Sequence, residues 1–184
     1  TVLLKLLRGA GPRGLAGMPV QSMVQGVPVV RPFLTVTRQE VISYLRALGE
    51  GWQEDRSNRD RTFLRNRIRH HLLPLLERRY NPRIRSVLLR MAGIFQEEER
   101  WWEGIVEETM AHAGQDRLRT ERLKEMPLAL RRRVWRVWMM RAGVPESVLD
   151  YDLLERMETQ LERGDKGTVE IEVGARWHLR ISYG

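Results

Sequence analysis

The sequence predicts a mainly helical domain that closes on a β-hairpin and follows a Gly/Pro-rich piece of different character. Three observations predict it. Between Thr37 and Gly164, apolar residues recur at helical spacing behind recognisable start signals. From Val169 the apolar period switches from 3.6 to 2. From Gly9 to Pro32, glycine and proline punctuate the chain.

Composition narrows the class of partner. With 184 residues, 42 % hydrophobic and 30 % charged, the chain is an ordinary globular one of one or two domains. It has no cysteine, which excludes disulfides, thiolate metal sites and a cysteine nucleophile. No apolar run approaches the roughly 20 residues that span a bilayer, so no membrane partner is expected. All of its basic residues except Lys5, Lys124 and Lys166 are arginine, and they cluster. Eleven arginines between Arg56 and Arg90 face only Asp60 and Glu77, a local +9 that exceeds the +8 of the whole chain. Charge so localised favours a polyanion, RNA or DNA, over a membrane surface.

Thr1–Leu7 reads as the last turns of a helix stopped near Gly9, so the chain reads as a fragment. Gly9-Ala-Gly11-Pro-Arg-Gly14 fits G-x-G-x-x-G, but a helix precedes it and the first acid downstream is Glu40, which excludes a dinucleotide fingerprint. What remains is a flexible loop carrying Arg8 and Arg13, with bare backbone at Gly9 for a phosphate to approach. Val27–Leu34, broken by Pro28 and Pro32, is a short strand or extended segment. Thr37 and Glu40 form a capping box ahead of a helix with Val41, Tyr44, Leu45 and Leu48 on one stripe, ended by Gly49.

Residues 50–60 are turn-like. Asp55, Asn58 and Asp60 do not make a calcium loop, because Asp60 stands where glycine is needed and Asn66 where glutamate is. Asp55, Ser57 and Asn58 are expected to order their own loop before a helix that starts near Arg61. In it Leu64, Ile68, Leu72 and Leu75 form a buried face, while Arg61, Arg65 and Arg69 stack along another. His70 and His71 are adjacent, point apart and read as structural; Pro74 is expected to break or kink the run.

Asn81-Pro82 opens a helix running to about Ala113, with Ile84, Leu88, Met91, Phe95, Trp102, Ile105 and Val106 as its apolar stripe. Glu97–Glu99, Glu103, Glu107 and Glu108 form its solvated face. Trp101-Trp102 could stack on bases, though helical spacing favours core packing. After a loop at Gly114, Pro127 begins a helix with Leu130, Val134, Val137 and Trp138 inward and Gly143 at its end. Arg131, Arg132, Arg133, Arg136 and Arg141 sit on it with no acid between them, a candidate contact for backbone phosphates against the alternative of a solvated face. Pro145 opens the last helix, with Leu149, Leu153, Leu154, Met157 and Leu161, ending at Gly164. Val169, Ile171, Val173 and Trp177, Leu179, Ile181, Tyr183 then alternate around Gly174-Ala175, a two-residue hairpin signal.

No Ser/His/Asp elbow, zinc spacing, Walker A loop or close carboxylate pair is present. A helix presenting Arg65, Asn66 and Arg69 can grip phosphate oxygens bidentately and stabilise charge on a leaving phosphate. The residues alone therefore indicate a helical domain that binds RNA or nucleotide phosphates.

A resemblance sharpens this. Asp55-x-Ser57-Asn58, six residues, then Arg65-Asn66-x-Ile68-Arg69, with Pro74 and Asn81-Pro82 beyond, resembles the tRNA(Ile)-lysidine synthetases. Thr1, Leu7-Arg8-Gly9, Gly14-Leu15, Met18 and Arg31-Pro32 agree upstream in order. The likeness covers residues 1–90 closely and 91–184 in helix pattern. It implies an enzyme that uses ATP, with Mg2+, to adenylate the wobble cytidine of a tRNA(Ile) with a CAU anticodon. Free lysine then displaces AMP. The family's Ser-Gly-Gly-x-Asp-Ser phosphate loop is not in this chain. By the resemblance, residues 1–60 end an α/β ATP-pyrophosphatase-type (nucleotide hydrolase-like) catalytic domain, and 61–184 form the helical tRNA-binding domain with its hairpin. Arg8 and Arg65 would act in catalysis on ATP phosphates or the adenylate, with Gly9, Asn66 and Arg69 supporting nucleotide binding. Asp55, Ser57 and Asn58 would order the adjacent loop, and Arg131, Arg132, Arg133 and Arg136 would hold the tRNA backbone; no metal ligand is carried over. The resemblance further implies a cytoplasmic protein, admits a homodimer, and leaves this segment inactive alone. Two rivals remain: a non-catalytic RNA-binding module on another enzyme of that superfamily, and a scaffold binding protein through Trp101 and Trp102.

Overall fold

In the computed structural model, the described residues are 1–24, 26–53, 55–60, 62–112, 117–164 and 167–183. Arg61, Ala113 and Gly114, singled out above, lie outside them. Packing divides the chain into two units, Thr1–Arg100 and Trp101–Gly184. The resemblance implied a division at residue 60. Helix 64–79 instead stays with the N-terminal unit, because Asn66 is hydrogen-bonded into the 57–60 loop.

In the first unit, α1 (Val2–Leu6) ends as expected at Gly9, which takes φ +74. The Ala10 and Gly9 amides bond back to the carbonyls of Lys5 (3.0 Å) and Leu6 (2.9 Å), so the glycine is needed for the left-handed stop. The expected flexible loop is instead structured: Pro12 at the first position starts α2 (Pro12–Leu15). A Cβ on Gly14 would lie 2.5 Å from that of Ala10, so this glycine serves close packing. Val27–Val30 (β2) is a strand, paired antiparallel with β1 (Gln21–Val24), a partner the sequence reading missed.

Helix α3 (Arg38–Ala47) carries the expected capping box. Glu40 N–H donates to Thr37 Oγ1 at 3.2 Å, and Thr37 N–H donates to Glu40 Oε2 at 2.6 Å. Its expected buried stripe is not buried: Val41, Tyr44 and Leu48 are exposed, and only Ile42 and Leu45 are partly covered. Helix α4 (Leu64–Arg67) begins three residues later than expected and passes through a π turn (Ile68–Leu72) into α5 (Leu73–Arg79). Pro74 has no N–H to return to His70, and it does not break the helix. The chain widens by a residue just before it, with the Leu73 amide bonding to the Ile68 carbonyl. Ile68 is buried, Leu64 and Leu72 partly so, and Leu75 is exposed. Helix α6 (Ile84–Ala111) follows Asn81, whose Oδ1 accepts from Arg83 N–H at 2.9 Å. Glu99, read as solvated, is buried.

The second unit holds the larger core. Val106 and Met110 of α6, Leu123 of α7 (Thr120–Glu125), and Val134, Trp135 and Met139 of α8 (Leu128–Arg141) pack there. Leu153, Leu154, Met157 and Leu161 of α9 (Tyr151–Arg163) join them. The sequence reading missed α7, and it started α9 too early. Glu146–Val148 is a separate turn, and Asp150 caps α9 by accepting from Leu153 N–H at 2.8 Å. The hairpin β3 (Gly167–Val173) and β4 (Trp177–Tyr183) closes the core with Ile171, Val173 and Ile181. Val173 pairs with Trp177, so the connection has three residues, Gly174–Arg176, and not two. Gly174 takes φ +66, and a Cβ there would lie 3.1 Å from Val148 Cγ1, a close approach that favours glycine.

Candidate functional site

The loop before α4 is built from two acid-centred turns. Asp55 Oδ1 accepts from Ser57 N–H at 2.9 Å, and Asp60 Oδ1 accepts from the Thr62 amide and hydroxyl at 2.9 and 2.7 Å. These bonds hold both carboxyls below their ordinary pKa, through the backbone bond first. Asn66 anchors the loop. It is buried, and its Nδ2 donates to the carbonyls of Ser57 (2.9 Å) and Asp60 (2.7 Å). His70 Nε2 donates to the Asn58 carbonyl at 3.2 Å from the π turn. Asp55 thus orders the loop through its side chain, and Ser57 and Asn58 through their backbone carbonyls.

That arrangement corrects one expectation. Asn66 cannot share a phosphate with Arg65 and Arg69, because its amide is already spent inside the loop. The arginines on either side of it remain available. Arg65, Arg67 and Arg69 are exposed, and among the described residues none has a carboxylate within ion-pair distance. Arg65 and Arg69 both lie close enough to the start of α1 for their charge to be felt at the Thr1 nitrogen. Lys5 Nζ donates to the Gly17 carbonyl at 3.0 Å. Arg8 is exposed at the other end of α1, roughly 10 Å of helix rise from Thr1. Arg65 and Arg69 thus both lie near the start of α1, and Arg8 stands beside Gly9 at its other end.

The second basic row is taken apart. Arg131 is buried, with Nε 3.1 Å from Glu158 Oε2 and Nη2 4.0 Å from Glu162 Oε1. This corrects its reading as a surface contact for tRNA. Arg132 lies 5.0 Å from the Tyr151 ring centroid and Arg133 4.7 Å from that of Trp102, both cation–π contacts. Arg136 Nη2 donates to the Leu149 carbonyl at 2.8 Å, and its Nη1 is 3.7 Å from Glu146. Arg141 Nη2 meets both Glu107 oxygens at 2.6 and 2.5 Å. The acids absent between these arginines in sequence arrive from α6, α9 and the turn before α9.

Two features escaped sequence reasoning. Trp102 is partly buried as expected, but Trp101 is 61 % exposed, its ring 5.0 Å from that of Trp102 at 68°. Arg117, Arg119 and Arg122 gather with His112 around a cleft floored by Leu118 and Met126. The three arginines fall within six consecutive residues, and what the sequence does not show is their approach to His112, whose carbonyl accepts from Arg122 Nη1 at 3.1 Å. Among the described residues, no group of three or more His, Asp or Glu side chains is placed to hold a metal ion.

Residues 1–76 match the family model for a PP-loop domain, and residues 118–184 match the TilS substrate binding domain. The chain belongs to the tRNA(Ile)-lysidine synthase family. It is 36 % identical over 162 residues to the tRNA(Ile)-lysidine synthase of Solibacter usitatus (strain Ellin6076), covering 85 % of this chain and 36 % of that protein. The lysidine synthase of Geobacillus kaustophilus (strain HTA426) is 34 % identical over 155 residues, 80 % of this chain and 33 % of that one. That of Geobacter sulfurreducens (strain ATCC 51573 / DSM 12127 / PCA) is 40 % identical over 142 residues, 74 % and 30 % respectively. The chain thus spans about a third of the length of these lysidine synthases. Arg8, Gly9, Asp55, Ser57, Asn58, Arg65, Asn66 and Arg69 fall within the PP-loop match, and Arg131, Arg132, Arg133 and Arg136 within the TilS match. No helix among the described residues is long and apolar enough to cross a membrane.

Proposed function

We propose that this chain supplies the tRNA-binding part and one wall of the active site of an ATP-dependent tRNA(Ile)-lysidine synthase. The observation that carries the reading is the pair Arg65 and Arg69, exposed without an acid partner among the described residues and lying within the PP-loop match. In the proposed reaction the C2 oxygen of the wobble cytidine attacks the α-phosphate of ATP and pyrophosphate leaves. The ε-amino group of free lysine then attacks C2 and AMP leaves, giving lysidine. Arg65 stabilises charge on the phosphates and on departing AMP, and Arg69 adds to that field. Arg8 contacts the same nucleotide from the far end of α1; the Gly9 amide is spent on the Leu6 carbonyl, so Gly9 shapes that turn and offers the phosphate no donor. Asn66, Asp55, Ser57 and Asn58 keep the intervening loop in shape.

ATP brings Mg2+ with it in such chemistry. Asp55 and Asp60 spend an oxygen each on their own loop, so no residue described here is assigned to the ion and no step runs through it. Arg132, Arg133 and Arg136 contribute positive charge toward the tRNA, while Arg131 serves the fold. The reading places the reaction in the cytoplasm, with tRNA(Ile) and lysine as partners, and is compatible with a homodimer. The test is incorporation of labelled lysine into tRNA(Ile) with a CAU anticodon, using the complete protein and ATP. ATP-dependent incorporation supports the reading, and its absence from intact, folded protein contradicts it.

A further inference from the structure

We propose that Trp101 and the two neighbouring arginine–aromatic stacks form a platform for an unpaired RNA base. The proposal rests on the reading of this chain as tRNA-binding and adds where, and by what chemistry, a base is held. Trp101 is 61 % exposed on α6, although the same helix buries Val106 and Met110. Its orientation is set by the edge-to-face contact with Trp102, 5.0 Å away at 68°. Trp102 in turn carries the Arg133 guanidinium at 4.7 Å, and the adjacent Arg132 lies 5.0 Å from the Tyr151 ring. Tyr151 is itself 60 % exposed. Two arginine–aromatic stacks, Arg133 on Trp102 and Arg132 on Tyr151, thus start from neighbouring positions of α8.

Such stacks fit a nucleic acid strand better than a protein or a lipid surface. Every base has a π-face to stack, and every nucleotide has a phosphate for a guanidinium. An arginine held against a ring loses little further freedom when it meets an anion. Of the acids Glu103, Glu107 and Glu108 on α6, Glu107 is paired with Arg141. The occupant must be single-stranded, because base faces in a duplex are covered by their neighbours and only loops, bulges and ends present them.

The test titrates the 184-residue chain with a fluorescently labelled single-stranded oligoribonucleotide and with an RNA duplex of equal length. Trp101→Ala is expected to weaken single-strand binding about tenfold, and to leave duplex binding unchanged. Trp101→Phe, which keeps a stacking face, is expected to restore most of the affinity. Matching circular dichroism of the three proteins shows that folding is not the cause. Single-strand affinity unchanged in Trp101→Ala overturns the platform and assigns the exposed indole to a protein contact, leaving the tRNA reading intact. Failure of the folded, unaltered chain to bind the single strand overturns the platform, and its failure to bind either probe overturns the tRNA-binding reading as well.

Discussion

Arg131 Nε lies 3.1 Å from Glu158 Oε2 inside the second unit, with only 9 % and 7 % of the two side chains exposed. The charges are close enough to pair, yet Arg131 Nε and both Glu158 oxygens lack a well-aligned hydrogen bond. Burial consequently pushes the Glu158 carboxyl above its ordinary pKa, against the pull of Arg131 and Arg132. An arginine in such a place belongs to the fold.

Truncating one partner strands the other charge. Arg131→Ala is expected to cost about 3–5 kcal/mol. Replacing both, as Arg131→Met with Glu158→Leu, is expected to recover most of that loss. Urea unfolding of the chain measures it. An Arg131→Ala protein as stable as the original would remove the buried pair from the account.

The loop before α4 hangs on Asn66. Asn66→Ala deletes two donors at 2.9 and 2.7 Å and is expected to cost about 1–3 kcal/mol. Amide exchange across residues 55–60 should accelerate while that of α6 is unchanged. Equal protection in both proteins would show that the loop is held by other means.

Glu40 and Glu158 should respond to pH with opposite sign. The Thr37 hydroxyl, then the Thr37 amide, hold Glu40 below its ordinary 4.5. Its contribution to stability is present above that value and is lost as pH falls through the lower folded-state value. Glu158 is raised, so its contribution weakens as pH rises from 4.5 through the folded-state value. Unfolding measured from pH 3 to 7 should show a shallower acid decline for Glu40→Gln than for the parent chain. Parallel curves would contradict the capping-box assignment.

Salt dependence separates the arginines of α8. If Arg132 and Arg133 meet phosphates, Gln at either should lower the log–log slope of tRNA binding by roughly one unit per lost contact. The Arg131→Met, Glu158→Leu protein should keep the original slope. Unchanged slopes for Arg132→Gln and Arg133→Gln would mark them as purely structural.

Much of this was legible in the sequence because the signals were local. The Thr37–Glu40 box, the Gly9 stop and the alternation of Val169, Ile171 and Val173 each depend on a few neighbouring residues, and each is present. The motif around Arg65 was legible for the same reason, and it led to the family. What failed depended on partners distant in the chain. The α8 arginines looked unopposed because Glu107, Glu146 and Glu158 lie on other segments. Asn66 looked like a phosphate ligand because the carbonyls it serves fold back from Ser57 and Asp60. Pro74 looked like a breaker because one extra residue in a π turn leaves no trace in periodicity.

The central claim is that Arg65 faces a phosphate and that the chain's tRNA contacts lie elsewhere. Formation of AMP by the complete enzyme, measured beside tRNA binding in an Arg65→Ala variant, tests it most directly. The account predicts that AMP formation is abolished while tRNA affinity is mostly retained. Normal turnover by Arg65→Ala would contradict it.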